Sequence, residues 1–285
     1  MDQRAELSEF LRSRRARLKP EDVGLPDFGR HRRVPGLRRE ELAQLAGVSV
    51  AYYTRLEQGN GRNVSTEVLD AIARALQLSD AESDHLTHLA KPTPKKRRAA
   101  RPQRLRAAIQ QLMDAMEGVP AYVVGRRTDI LGGNRLARAL LGDFVALPAA
   151  ERNTARLIFL DPNSKDLYVD WEIKACEVVS YLRMDAGLHP DDPLLSALVG
   201  ELSVKSEEFR SQWAAHHVKD KGHGTKRLHH PLVGELTLSY ETLRLPDDLE
   251  QSLVTFHAEP GSPSQESLRL LASWGTDAEV RTPKG

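Results

Sequence analysis

The chain has 285 residues, 40% apolar and 28% charged, which is enough for packed cores and argues against wholesale disorder. At ~150 residues per domain the length suits two domains, and no apolar run approaches the ~18 residues of a membrane span. The net charge of +1 hides an asymmetry, because residues 1–104 carry 21 Lys and Arg against 14 Asp and Glu, a balance of +7, and the remainder carries −6.

A basic first third joined to an acidic remainder is the charge layout of a polyanion-binding module carrying a second domain. A lone cysteine, Cys176, excludes an internal disulfide and a Cys-based zinc site. The N-terminal stretch has no apolar signal segment, so the expectation is a cytoplasmic protein in a reducing compartment, with no membrane partner.

In chain order, Leu7, Phe10, Leu11, Arg14 and Leu18 repeat at helical spacing, which predicts a helix over ~6–18 with a basic outer face, stopped at Pro20. A Pro- and Gly-rich connection follows. Leu42, Ala43 and Ala46 then form one apolar stripe, and Gly47 breaks that helix. Ser49 is a good N-cap for the next helix, whose inner face is Tyr53 and Leu56 and whose end is Gly59. Ser65 caps a helix with Leu69, Ile72, Ala73 and Leu76 inward, and a last helix starts near Asp80.

The helices either side of Gly47 are short, and about three residues join them. That is a helix-turn-helix corner, with Ala43 and Gly47 placed where close backbone contact is expected. The second helix can enter a major groove, with the N-terminal part facing base edges. Ser49, Val50, Ala51, Tyr52 and Arg55 are therefore the candidate base-facing residues. Arg55 is the best single reader, because a guanidinium can bond guanine O6 and N7 together. Arg62 and Asn63 follow as candidate phosphate contacts. With Glu41-Leu42-Ala43, Gly47-Val48-Ser49 and Leu56-Glu57-Gln58-Gly59, residues ~5–90 resemble the phage-repressor-like (XRE) helix-turn-helix family. Arg38 and Arg39 open the preceding helix, where that family's pattern places a phosphate contact. The loop at residues 29–33 is longer than the family's usual connection.

Residues 91–104 combine three prolines with the cationic run Lys95-Lys96-Arg97-Arg98, a basic linker composition. Residues 105–275 return to mixed signals. Leu105, Ala108, Ile109, Leu112 and Met116 predict an amphipathic helix ended by Gly118 and Pro120. Two β-rich runs flank Arg126-Arg127-Thr128 as a hairpin, and a helix opens on Asn134. Helical segments dominate ~150–218, strand signals return from Lys226, and a final helix precedes a tail over 276–285. Antiparallel strands at both ends with helices between make an α+β domain whose sheet is completed late.

This second region resembles the MmyB-like ligand-binding domain, a PAS-like domain found after XRE-type domains. The residues that carry the resemblance are Pro120-Ala121-Tyr122-Val123-Val124, Asn134-Arg135-Leu136-Ala137, Trp171, Trp213, His230-Pro231 with Val233-Gly234, and Tyr240-Glu241. The resemblance implies a transcription regulator, a repressor by family habit, and a lipid-like or fatty-acyl ligand. From the residues themselves, Tyr122, Trp171, Tyr181, Trp213 and Tyr240 are candidate pocket walls, and Arg183 or His216 is a candidate partner for a ligand carboxylate.

The reading is an all-α helix-turn-helix DNA-binding domain (1–90), a linker, and an α+β PAS-like sensory domain (105–275). The expected partners are a duplex DNA operator, a small apolar ligand and a second copy of the chain. No catalytic motif is found, and no cofactor is expected beyond a bound fatty acid or similar effector. Cys176 reads as a buried structural thiol. Two alternatives stay open for the second domain. One is an antitoxin-like grip on a protein partner. The other is a metal site built from His216-His217, His223 and His229-His230.

Overall fold

The computed structural model describes residues 3–25, 36–61, 63–91, 103–215 and 222–280. The chain divides into two compact units. One comprises Met1–Ala99 with Leu182–Val199 and Ser211–Asp220, and the other comprises Ala100–Tyr181 with Gly200–Arg210 and Lys221–Gly285.

The first unit opens with α1 (Gln3–Arg17), α2 (Arg39–Leu45), α3 (Val50–Glu57), α4 (Thr66–Ala75) and α5 (Asp80–Ala90). Leu7, Phe10, Leu11, Leu42, Ala43, Tyr53, Leu56, Leu69, Ile72 and Leu86 form its core. The starts of the helices follow the sequence signals. The Ser49 hydroxyl accepts the Tyr52 N–H at 3.1 Å, and the Ser65 hydroxyl accepts that of Val68 at 3.3 Å. At α5 the Ser79 hydroxyl and the Glu82 carboxylate cap reciprocally.

The corner between α2 and α3 corrects one expectation. Nothing lies within 4 Å of the place a Gly47 side chain would occupy, so no close helix approach demands a glycine there. The demand is conformational. Gly47 has φ +67°, and this left-handed residue lets the Val48 N–H donate to the Ala43 carbonyl at 2.9 Å. The smaller residue packed inside the corner is Ala43, fully buried.

The basic face of α1 is also less open than expected. Arg14 is 2% exposed and pairs with Glu82 at 2.9 Å, its guanidinium lying 4.6 Å from the centre of the Phe10 ring. Burial outweighs Glu82 and draws the Arg14 pKa down to about 10.

The second unit begins with α6 (Ala107–Asp114), β1 (Ala121–Val124), β2 (Ile130–Gly133), α7 (Arg135–Leu141), α8 (Thr154–Leu160) and α9 (Asn163–Leu167). The long helix α10 (Trp171–Leu188) divides between the units after Tyr181. It is followed by α11 (Pro193–Lys205), α12 (Glu207–Ala214), β3 (His223–His230), β4 (Gly234–Leu245), β5 (Asp248–His257) and α13 (Pro263–Val280). The five strands form one antiparallel sheet in the order β2-β1-β5-β4-β3. The early hairpin thus waits for β5, over a hundred residues later, to join it to the rest. This is the α+β architecture that the spacing of strand signals predicts.

Asn134 locks the early hairpin to its helices. Its side-chain oxygen accepts the N–H groups of Ala121 at 3.1 Å and Ala137 at 2.9 Å. Its amide donates to the carbonyls of Val119 at 2.7 Å and Met113 at 3.1 Å.

Three local readings shift. Around α6 Leu105, Ile109 and Met116 pack against the core as expected, but the fully buried residue is Met113, whereas Leu112 is half exposed and Ala108 exposed. Cys176 is half-buried rather than buried. Helix α13 continues through Val280, into the stretch expected as a tail, because no proline interrupts it before Pro283.

Candidate nucleic-acid interface and ligand cavity

On α3 the inner and outer faces separate cleanly. Tyr53 and Leu56 are buried, while Ser49, Val50, Ala51 and Arg55 are exposed. Tyr52 is half-buried against the helical core, so only part of its ring is available to a partner. Arg38 and Arg39 are exposed at the start of α2, and Asn63 is exposed beyond α3 in a left-handed conformation with φ 68°.

Behind this surface lies a charge cluster that the sequence reading missed. The Glu57 side chain is completely buried. It accepts Arg15 Nε at 2.7 Å, Arg15 Nη2 at 3.1 Å and Arg39 Nε at 2.8 Å. Burial opposes its ionisation, but the hydrogen bonds from Arg15 and Arg39 win and hold the carboxyl below its usual range. Arg15 also donates to the Leu37 carbonyl at 2.6 Å. One carboxylate therefore ties α1, the entry to α2, and the last turn of α3. Arg39 is positioned by that carboxylate through Nε, and its side chain is 44% exposed. The missed signal was the Glu57 position itself, one residue after inward Leu56 on α3.

The second unit contains a cavity of about 40 Å³. Its apolar walls are Val124, Val178, Val254 and Phe256. The expected tyrosines Tyr122, Tyr181 and Tyr240 all line it. Tyr122 stacks on Phe256 with ring centres 6.3 Å apart, and Tyr240 packs against the same ring. Burial pushes the Tyr122 and Tyr240 phenols above their ordinary range, so both remain protonated donors at neutral pH. Thr128 borders the cavity in a left-handed conformation, φ 64°, a strained state for a β-branched residue. Its hydroxyl accepts the Ala155 N–H at 3.2 Å, which helps hold the turn in place.

Other expected pocket residues lie elsewhere. Trp171 donates Nε1–H to the Ile158 carbonyl and to the Ser164 hydroxyl, both at 3.1 Å, and meets Phe159 edge to face. It is a packing residue of α8, α9 and α10. Arg183 belongs to the first unit. Its buried guanidinium pairs with Glu6 at 2.6 Å, donates to the Trp213 carbonyl, and lies 4.2 Å from the centre of the Trp213 ring. Arg183 and Trp213 are therefore engaged with each other. His216 and His217, Arg62, the loop 29–33 and the run Lys95–Arg98 lie outside the described residues. His230 is held by backbone, its Nε2 2.9 Å from the Ala139 carbonyl and its Nδ1 accepting the Leu232 N–H at 3.2 Å. Among the described residues no group of three or more His, Cys, Asp or Glu side chains is placed to hold a metal ion.

The cavity also contains charged residues that the sequence reading did not select. Lys174, Glu177 and Lys226 line it. Lys226 is buried, bonds Glu177, and sits 4.8 Å from the centre of the Tyr240 ring. Strand alternation was the available signal. Lys226 shares its face of β3 with Leu228 and His230, all three buried, while Thr225, Arg227 and His229 point outward.

Residues 105–271 match the family described as MmyB-like transcription regulator ligand binding domain. Residues 6–86 match a helix-turn-helix domain family. No curated protein matches the chain.

Proposed function

The chain belongs to the family of the MmyB-like transcription regulator ligand binding domain, and on that premise we propose that it works as a cytoplasmic, dimeric repressor controlled by a small apolar ligand. The helix-turn-helix domain and the ligand-binding domain together make it a DNA-binding transcription regulator. The observation that carries the DNA half is the exposure of Ser49, Val50, Ala51 and Arg55 beside Arg38 and Arg39. Arg55 reads a base edge. Arg38 and Arg39 meet phosphates at the N-terminus of α2, where backbone N–H groups reinforce the site. Two copies give two half-sites, and thus usable affinity. Repression, and a fatty-acyl ligand, follow from the family resemblance.

The apolar walls and phenols around the cavity support the ligand half. At about 40 Å³ the cavity has room for a few waters only, so an acyl chain must part its walls. A ligand then shifts DNA affinity by as much as it prefers the opened form over the closed one.

Selection of bound sequences from a randomised duplex pool tests this reading. The full chain should enrich one motif with two related halves, and Arg55→Ala should lose that enrichment while keeping weak salt-sensitive binding. Absence of any duplex binding at low ionic strength would overturn it.

A further inference from the structure

A cavity that must part its walls to admit a ligand has one wall better suited to move than the others. The lining on β1, β3, β4 and β5 belongs to strands paired across one sheet, and parting them would break ladder hydrogen bonds. Helix α10 is tied to β3 by the bond between Glu177 and Lys226. The remaining wall is Thr128, in the turn between β1 and β2, with Thr154 at the start of α8. This wall carries strain. Arg127 and Thr128 are consecutive left-handed residues, with φ 53° and 64°. That conformation is costly for a β-branched side chain and persists only where the surroundings enforce it. Here the enforcement centres on one side chain. Asn153, fully buried, donates to the Arg127 carbonyl at 2.7 Å and to Asp129 Oδ1 at 2.8 Å. Its own oxygen accepts the N–H groups of Ala155 at 3.0 Å and Arg156 at 3.1 Å, which fixes the clamp to α8. Thr154 gives an independent sign. Its hydroxyl is buried with no hydrogen-bond partner among the described residues, a second cost of the closed arrangement.

We propose that the turn at 126–128 and the first turn of α8 form the gate of the cavity, held shut by Asn153, and that relaxation of Arg127 and Thr128 offsets part of the cost of opening. This rests on the reading of the second unit as a binder of apolar ligands, and adds the route of entry to it. The strained backbone and the unmet hydroxyl lie on the same wall, and both costs end when that wall moves. The closed cavity has room for a few waters only, so the turn stays displaced while a ligand is in place. A substitution that relieves the strain without moving the turn therefore favours the closed form. It lowers the population of the open form, and both entry and affinity fall by that factor.

The test uses the full chain and dansylaminoundecanoate, a fluorescent acyl probe, below its aggregation concentration. Stopped-flow mixing gives the association rate, and equilibrium titration gives the affinity. Thr128→Asn keeps a side-chain oxygen for the Ala155 N–H, and asparagine tolerates the left-handed region. Arg127→Gly relieves the neighbouring residue at the loss of its ion pair with Asp129. Each variant should take up the probe roughly three- to tenfold more slowly than the parent, and bind it more weakly by a similar factor. A residue that only shapes the turn would move melting temperature and leave both readouts unchanged. Arg127→Gly decides the matter alone should Thr128→Asn fail to fold. Unchanged or faster association, or unchanged affinity, in either folded variant would overturn the gate and leave the apolar-ligand reading in place. Absence of probe binding by the parent would overturn that reading, and the gate with it.

Discussion

The first unit and the cavity of the second bury their ion pairs with different cations, although elsewhere the second unit also half-buries arginines, Arg127 on Asp129 and Arg156 on Glu201. In the helix-turn-helix unit the buried ion pairs are built on arginines: Arg14 on Glu82, Arg15 on Glu57 and Arg183 on Glu6. At the cavity of the second unit the buried cation is a lysine, Lys226 on Glu177. A guanidinium holds several acceptors in a fixed plane, so each arginine cross-links chain segments. Arg15 alone joins Glu57 to the Leu37 carbonyl. An ammonium imposes no such plane. The contrast separates a charge cluster that fixes the shape of a reading head from a charge pair that keeps a polar spot inside apolar walls.

The sharpest way to break that contrast is Glu57→Ala. It leaves Arg15 and Arg39 without their shared carboxylate, and loss of one partner of a buried pair costs ~3–5 kcal/mol. Operator binding and the early part of thermal unfolding should both suffer, while ligand binding persists. A shift of less than about 1 kcal/mol would demote the cluster to an ordinary surface pair.

The same unit should show opposed pH effects. The Glu57 carboxyl is held below its usual range, so its contribution is complete above the ordinary carboxylate pKa and is lost as pH falls through the lowered folded value. The Glu6 carboxyl is raised, because burial outweighs Arg183. Its contribution is therefore greatest in acid and falls as pH rises from the ordinary value through the raised one. Melting curves across the acid range should flatten at their acid end in Glu57→Gln and steepen there in Glu6→Gln. Identical profiles for the two variants would contradict the assignment.

The counterpart in the second unit is Asn134→Ala. Asn134 is buried and serves two donors and three acceptors around the hairpin. Leaving them unmatched should cost ~2–3 kcal/mol, the desolvation of more than one group, with duplex binding by the first unit retained. Chemical denaturation followed by ligand titration checks it, and loss of DNA binding alone would be the wrong outcome.

How much of this was legible in the residues follows from the range of the interactions. Caps and helix ends are local, so Ser49, Ser65 and Asn134 announced themselves. So did the sheet, because strand runs and turns are local even when pairing is not. The cavity is different. Its lining comes from β1, α8, α10 and three late strands, and no spacing rule ranks Lys226 above Trp171 as a wall. The chemistry of Trp171 suits a pocket wall, but its indole N–H is committed to Ile158 and Ser164. The charge of Arg183 suits a ligand carboxylate, but the chain supplies that carboxylate itself, 177 residues away in Glu6. The clue that was present, an inward lysine in an alternating strand, needed the phase of β3 to be weighed.

Arg55→Ala should leave both folds intact and cost ~1–3 kcal/mol of operator affinity, relaxing the preference at one base pair. Competition assays with single-site operator variants measure it. A uniform loss at all sites would make Arg55 a phosphate contact and move base reading to Ser49, Val50 and Ala51.

Gly47→Ala is the smallest change and sharpens the account of the corner most directly. Two explanations of Gly47 differ in what alanine should meet. Were the helices crossing closely at this residue, a methyl group would collide with backbone, and binding and folding would fail together. Open space surrounds the position, so only the left-handed backbone of an L-residue opposes the change, about 1 kcal/mol. Gly59, at the end of α3, is the internal control. Its φ is +86°, and an added methyl would also meet the Arg4 carbonyl. Gly59→Ala must therefore cost more than Gly47→Ala in the same denaturation series. The reverse order would return the corner to a steric origin.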